Sequence, residues 1–169
     1  NLFKEIENSH HVYNDFFNKK AAQKFLSRFG QVDIITANNV FAHSRLLKEF
    51  IKSFDLLLKP KGLCIFEFQY LFDLTRGNYF DMIYHEHTSY HHIVPMKSFL
   101  ETLGFSIIKA ERVETHGGSI RLICSKSSDF RELDKTSIKL MNEDQKHNKN
   151  LNSSLFKFHQ EIKNTTRSI

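Results

Sequence analysis

Two short apolar runs rich in β-branched residues flank a strongly amphipathic stretch, and this spacing constrains the fold more than any other feature. Residues 32–37 (Val-Asp-Ile-Ile-Thr-Ala) and 63–68 (Leu-Cys-Ile-Phe-Glu-Phe) have the length and character of buried parallel strands. Between them Leu47, Phe50, Ile51, Phe54, Leu57 and Leu58 recur at helical spacing, and Pro60 and Gly62 are expected to end that helix. Upstream, residues 10–17 alternate as a short strand would. Asn18 then opens a helix whose apolar face is Ala22, Phe25, Leu26 and Phe29, with Gly30 as its stop. Alternation of strand and helix predicts βαβ units around a parallel sheet, an α/β fold.

Beyond residue 70 the pattern changes. Residues 71–94 form a long polar-aromatic stretch, followed by a short helix with Pro95 in its first turn and Gly104 after its end. Residues 105–113 and 119–125 read as an antiparallel hairpin turning at 115–118. From Asp129 the chain is polar and helical, and Leu151, Leu155, Phe158 and Ile162 mark at least one long C-terminal helix.

The 169 residues suffice for one sizeable core, and the apolar content of 40% is that of a globular chain. No apolar run reaches the roughly 18–20 residues of a transmembrane helix, and the amphipathic, mixed-charge start is not expected to be a signal peptide. The net charge of +5 permits an anionic ligand, but the basic residues are interleaved with acidic ones, so neither nucleic acid nor membrane is an expected partner. Cys64 and Cys124 lie inside apolar runs, as buried thiols of a reducing compartment do, and a cytoplasmic location is expected. The chain opens on Asn1, which suggests a processed or excised piece.

Chemistry concentrates in a few places. Tyr84-His85-Glu86-His87-Thr88-Ser89-Tyr90 packs five ionisable side chains into seven positions. Histidine exchanges protons near neutral pH, so one reading is a proton-transfer site in which a histidine is the base and Glu86 tunes it. A metal site and a histidine-rich surface loop stand beside it. The zinc-protease string HExxH fails, because Ser89 stands where its second histidine would be. Asn38-Asn39 and His43 follow the first buried strand and Gln69-Tyr70 the second, on the edge where α/β sheets bind ligands. Asn38-Asn39 also reads as a turn with a helix cap, and His43 as a surface histidine. His116-Gly117-Gly118-Ser119-Ile120-Arg121 is either a hairpin turn with a solvent-facing arginine or a phosphate contact. No glycine-rich nucleotide-binding string occurs.

In order along the chain, Phe16-Phe17-Asn18, Ala37-Asn38-Asn39-Val40-Phe41-Ala42-His43, Leu57-Leu58-Lys59-Pro60, Phe66-Glu67-Phe68, Tyr84-His85-Glu86-His87 and His116-Gly117-Gly118-Ser119-Ile120-Arg121 resemble the S-adenosylmethionine-dependent sugar C-methyltransferases. These methylate a carbon beside the ketone of a nucleotide-linked keto-deoxysugar. The similarity runs from about residue 10 to 125. It implies a partial Rossmann-like class I methyltransferase domain, its later half, over residues 1–128, with 129–169 a linker and the helical start of a C-terminal domain.

Of the site, the resemblance implies His87 as the base, Tyr84 as its competitor, Glu86 as an orienting or hydroxyl-holding group, and His43 in the same cleft stabilising the enolate. It implies Asp15 and Phe16 at the adenine of S-adenosylmethionine, Asn38 and Asn39 at its amino-acid end, and Ser119 and Arg121 at the sugar nucleotide. The family's first strand and glycine-rich loop are missing here. An internal fragment, inactive alone and with an incomplete cofactor pocket, is therefore expected. Zinc is expected only in an N-terminal module that this chain does not contain. A non-catalytic sugar-nucleotide-binding module and a histidine-cluster metal hydrolase are the competing functions.

Overall fold

The computed structural model describes residues 12–13, 15–129 and 131–167. Helix α1 (Lys19–Phe29) begins where the Asn18 side chain accepts the Ala21 N–H at 3.0 Å, and Gly30 ends it at φ 77°. Strand β1 (Val32–Asn38) leads through a single 3₁₀ turn (Phe41–His43) into α2 (Leu47–Leu57), and β2 (Leu58–Gln69) follows at once. After β2 come α3 (Leu71–Arg76), the 3₁₀ turn Phe80–Met82 and α4 (Ile93–Thr102). The hairpin of β3 (Phe105–Val113) and β4 (Ser119–Lys126) precedes two helices, α5 (Lys135–Lys149) and α6 (Leu151–Arg167). The sheet runs β1-β2-β4-β3, with β1 parallel to β2 and the other pairs antiparallel. One βαβ unit closed by a hairpin gives the Rossmann-like α/β class expected.

Three details differ from the sequence pattern. Of the strand expected over 10–17, residues 10, 11 and 14 lie outside the described residues, and the others are irregular. Strand β1 is not buried on both faces: it is the sheet edge among the described residues, Ile34 is 56% exposed, and only Ala37 of the strand is buried. Pro60 and Gly62 do not stop α2, which ends at Leu57. They sit in a register slip that carries β2 from Leu58 opposite Val32 to Leu63 opposite Ile34. A Cβ on Gly62 would lie 2.9 Å from the Asp33 carbonyl oxygen, so the slip brings the backbones close. The expected C-terminal stripe lies wholly within α6, with Phe158 buried and α6 packed on α3.

The core is strongly aromatic. Phe66 and Phe68 of β2 pack with Phe41, Phe54 of α2, Met96 and Leu100 of α4, and Ile120 and Leu122 of β4. Each such side chain contributes about 1.5–3 kcal/mol on full burial. Cys64 and Cys124 face each other across β2 and β4 as buried free thiols, and burial raises the Cys124 pKa. The residues of β2 and β4 that alternate with this core make a charged row. Arg121 donates to the buried Glu67 through Nε (3.0 Å) and Nη2 (2.7 Å), and to Glu111 at 3.2 Å. Among the described residues no helix is long and apolar enough to cross a membrane.

Candidate active site

The carboxyl ends of β1 and β2 open on the edge where the β3–β4 hairpin turns, and the polar segments singled out above converge there. Asn39, in the left-handed conformation at φ 55°, leaves β1 with its N–H on the Glu67 carbonyl at 2.7 Å. Phe41 is buried and pins the following turn, so that His43 stays partly exposed. The Thr88 backbone N–H and hydroxyl both donate to the Ala42 carbonyl, at 2.7 and 3.0 Å, tying the histidine-rich segment to that turn. The His43 and His87 rings meet edge to face at 4.8 Å. Between these segments lies a cavity of about 150 Å³. Asn39, His43, Tyr84 and His87 line it, together with Phe68, Gln69, Met82 and His116.

The geometry fixes the proton on His87. Its Nδ1 lies 3.0 Å from the Met82 carbonyl, which can only accept, so Nδ1 carries the hydrogen. In the neutral ring Nε2 is then the lone-pair nitrogen, and it accepts the Tyr84 hydroxyl at 2.8 Å. Removal from water lowers the His87 pKa and the neighbouring His43 lowers it further, while the Met82 carbonyl and Glu86 pull the other way. His87 is thus neutral at pH 7, hydrogen-bonded to a phenol at a cavity wall, the state a general base requires.

Of the other site residues expected from the sequence, Glu86 lies at the rim. Its carboxylate is 4.0 Å from His43 and 3.9 Å from His85, and it is 62% exposed. Asn38 is exposed at the end of β1. Phe16 is 89% exposed and lines a neighbouring groove of about 300 Å³ with Ser44, Arg45 and Phe50, which shares His43 with the cavity. Asp15 accepts the Phe16 N–H at 2.8 Å. Ser119 and Arg121 are not brought to the cavity. Ser119 is fully buried with its hydroxyl on the Thr115 carbonyl, and Arg121 is held in the charged row by Glu67 and Glu111.

Sequence reasoning did not assign Met82, Gln69 or His116. Met82 acts through its carbonyl, which no residue type announces. Gln69 and His116 carried a signal in their positions at a strand end and in a glycine turn. Among the described residues no group of three His, Cys, Asp or Glu side chains is arranged to hold a metal ion.

Over 104 residues, 62% of this chain, the sequence is 31% identical to the C-methyltransferase NovU of Streptomyces niveus. The chain is similar to a C-methyltransferase. It spans about a quarter of NovU, 25% of that protein's length. No protein-family model matches the chain. Among solved structures, magnesium protoporphyrin IX methyltransferase (ChlM) from Synechocystis PCC 6803 with bound SAH is 20% identical at a TM-score of 0.44, covering 57% of this chain and 46% of ChlM. The M1.HpyAVI structure is 18% identical at a TM-score of 0.40, covering 64% and 51%.

Proposed function

We propose that the chain carries the reacting half of an S-adenosylmethionine-dependent C-methyltransferase acting on a carbon beside the ketone of a nucleotide-linked deoxysugar. The observation that carries this reading is the Tyr84–His87 pair at the cavity, in a chain similar to a C-methyltransferase. In this reading residues 1–128 belong to the methyltransferase domain and 129–169 lead toward a following one.

The residues present fit the cofactor. Phe16 offers an exposed aromatic face beside a groove that joins the cavity at His43, and Asn38 and Asn39 lie at the carboxyl end of β1. Asp15 and Phe16 would hold the adenine, and Asn38 and Asn39 the amino-acid end. When bound, the cofactor supplies an electrophilic methyl group.

This chain's own residues supply the proton chemistry. His87 accepts the proton through Nε2, either directly or from the Tyr84 hydroxyl, whose oxygen in the second case takes the proton from the substrate carbon. The Met82 carbonyl keeps Nδ1–H in place and stabilises the positive charge that His87 gains. His43, at the same wall, donates to the enolate oxygen, and Glu86 balances the charge of the histidine pair. The cavity is smaller than the roughly 300–1,000 Å³ of whole-ligand pockets, so it receives the sugar ring and leaves the nucleotide outside.

The test uses the whole encoded protein, methyl-labelled S-adenosylmethionine and a dTDP-linked 4-keto-6-deoxysugar. Label bonded to the carbon next to the ketone is the expected result. Label on oxygen, or none in the sugar, overturns the reading.

A further inference from the structure

We infer that Tyr90 is a positioning residue for His87: it clamps the turn that carries the Met82 carbonyl to backbone anchored on the sheet. The inference rests on the function proposed above and names what keeps its base in the reactive tautomer.

The His87 tautomer is set by one backbone oxygen, and that oxygen sits on a weakly held turn. Met82 ends the 3₁₀ turn Phe80–Met82, none of whose residues is buried. Phe80 and the following Ile83 are 41% and 48% exposed. The backbone bonds of the turn are local, from the Met82 N–H to the Tyr79 carbonyl and from the Ile83 N–H to the Phe80 carbonyl. A segment with so few buried contacts opens readily. When it opens, the Met82 carbonyl leaves Nδ1, and the neutral ring can carry its hydrogen on Nε2 instead. Nε2 then has no lone pair for a proton.

Tyr90 supplies what the turn lacks. Its hydroxyl donates to the Met82 carbonyl at 3.4 Å, the same oxygen that takes His87 Nδ1–H at 3.0 Å. Among the described residues these are the side chains bonded to that carbonyl. The Tyr90 ring also stands edge-on to the His87 ring, at 5.9 Å and 78°. Burial raises the Tyr90 pKa, and a hydrogen bond from the Tyr84 backbone works against that rise. The hydroxyl therefore also meets the residue whose phenol bonds His87 Nε2. One side chain reaches both partners of the base.

Tyr90 can act as a clamp because its own backbone is fixed on either side. Thr88 is tied twice to the Ala42 carbonyl in the turn after β1. His91 pairs with Tyr70 in a parallel bridge just beyond β2, and its carbonyl accepts the Leu71 N–H at 3.0 Å. The His91 ring is itself buried, with Nε2 on the Ser89 hydroxyl at 3.0 Å. The stiffness of the sheet edge thus passes through Tyr90 to the Met82 turn, and from there to the proton on His87. The ring of Tyr90 fills space, but only its hydroxyl reaches the carbonyl, and this separates positioning from packing.

The test is Tyr90→Phe in the whole encoded protein, which removes the hydroxyl and keeps the ring. Long-range proton–nitrogen NMR of histidine-labelled protein at about pH 8 reads the neutral His87 ring without any turnover, and His87→Asn identifies its signal. The wild type is expected to show the Nδ1–H form, and Tyr90→Phe a clear share of the Nε2–H form. In the methyl-transfer assay kcat should fall about tenfold, with KM for both substrates within about twofold of wild type. Fluorotyrosine in place of Tyr90, which retains a hydroxyl, should keep the wild-type tautomer and kcat. An unchanged tautomer or an unchanged kcat in Tyr90→Phe overturns the inference and leaves the proposed function standing. An Nε2–H ring in the wild type overturns it as well. Wild-type protein that transfers no label overturns the proposed function, while the tautomer still decides whether Tyr90 positions His87.

Discussion

His87 and His92 sit five residues apart on one segment, yet the fold treats them in opposite ways. His92 is buried with its Nδ1 on Asp144 at 3.0 Å. That carboxylate, wholly buried on α5, also accepts the Tyr70 hydroxyl at 2.9 Å and the backbone N–H groups of Ile93 and Val94 at 3.1 and 2.8 Å. Asp144 thus caps the first turn of α4 from another helix. Burial pushes its pKa up, but these bonds outweigh burial and the net shift is downward. Burial, then the same carboxylate, raise the Tyr70 phenol far above its ordinary range. His87, by contrast, has a fixed tautomer, a phenol partner and one side on a cavity. A polar cluster that is sealed and saturated holds the structure together. One that is ordered but open to a cavity is available for chemistry.

The sharpest way to break this contrast is His87→Asn in the whole encoded protein. It should lower methyl-transfer kcat by about 10²–10⁴-fold, the contribution of a general base, and leave cofactor binding almost unchanged. A steady-state assay showing a loss under about tenfold would remove His87 from the base role and leave it to Tyr84.

Asp144→Ala is the opposite experiment. It leaves His92 and two helix N–H groups without their buried partner and should cost about 3–5 kcal/mol in urea unfolding. His87→Asn should cost under about 1 kcal/mol in the same measurement. Equal costs would mean that the two clusters do the same work.

Acid should separate them as well. Only neutral His87 accepts a proton, and its pKa is lowered, so kcat/KM should stay flat above about pH 6.5 and fall only below that. An acid limb centred above pH 7 would contradict the desolvated environment. In unfolding, the depressed pKa of buried His91 means the unfolded chain takes up protons first, so stability declines as pH drops below about 6.5. The Asp144 contribution, present above the ordinary carboxylate pKa, is lost only at lower pH, as the pH falls through its depressed folded value. A melting temperature unchanged between pH 7 and 5 would argue against the first of these losses.

The smallest effect belongs to Thr88→Val, which removes one of the two bonds to the Ala42 carbonyl. About 1 kcal/mol of stability should go. His43 and His87 should also lose their close ring contact, visible as a change in their NMR shifts.

The element pattern was legible because it depends on local chemistry. Periodicity marked α1, α2 and the β3–β4 hairpin, and Asn18 and Gly30 marked the ends of α1. The Tyr-His-Glu-His string and Asn39 announced a polar edge. What failed locally failed for nonlocal reasons. Ile34 has the composition of a buried strand residue, but its exposure depends on the neighbours of β1. Pro60 and Gly62 read as stops, but the register of β2 against β1 absorbs them.

The sequence by itself determined an α/β chain with its ionisable residues gathered beyond the strand ends, and a resemblance matched by a C-methyltransferase. Only the tertiary structure decided which histidine is open and which is sealed, because that depends on Asp144 arriving from 52 residues away. It likewise chose the His87 tautomer through a backbone carbonyl, and it turned Arg121 from a candidate ligand contact into the partner of Glu67. The physical reason is the same in each case. A side chain's charge, tautomer and reach are set by the partners that folding brings to it, and those partners are distant in sequence or belong to the backbone.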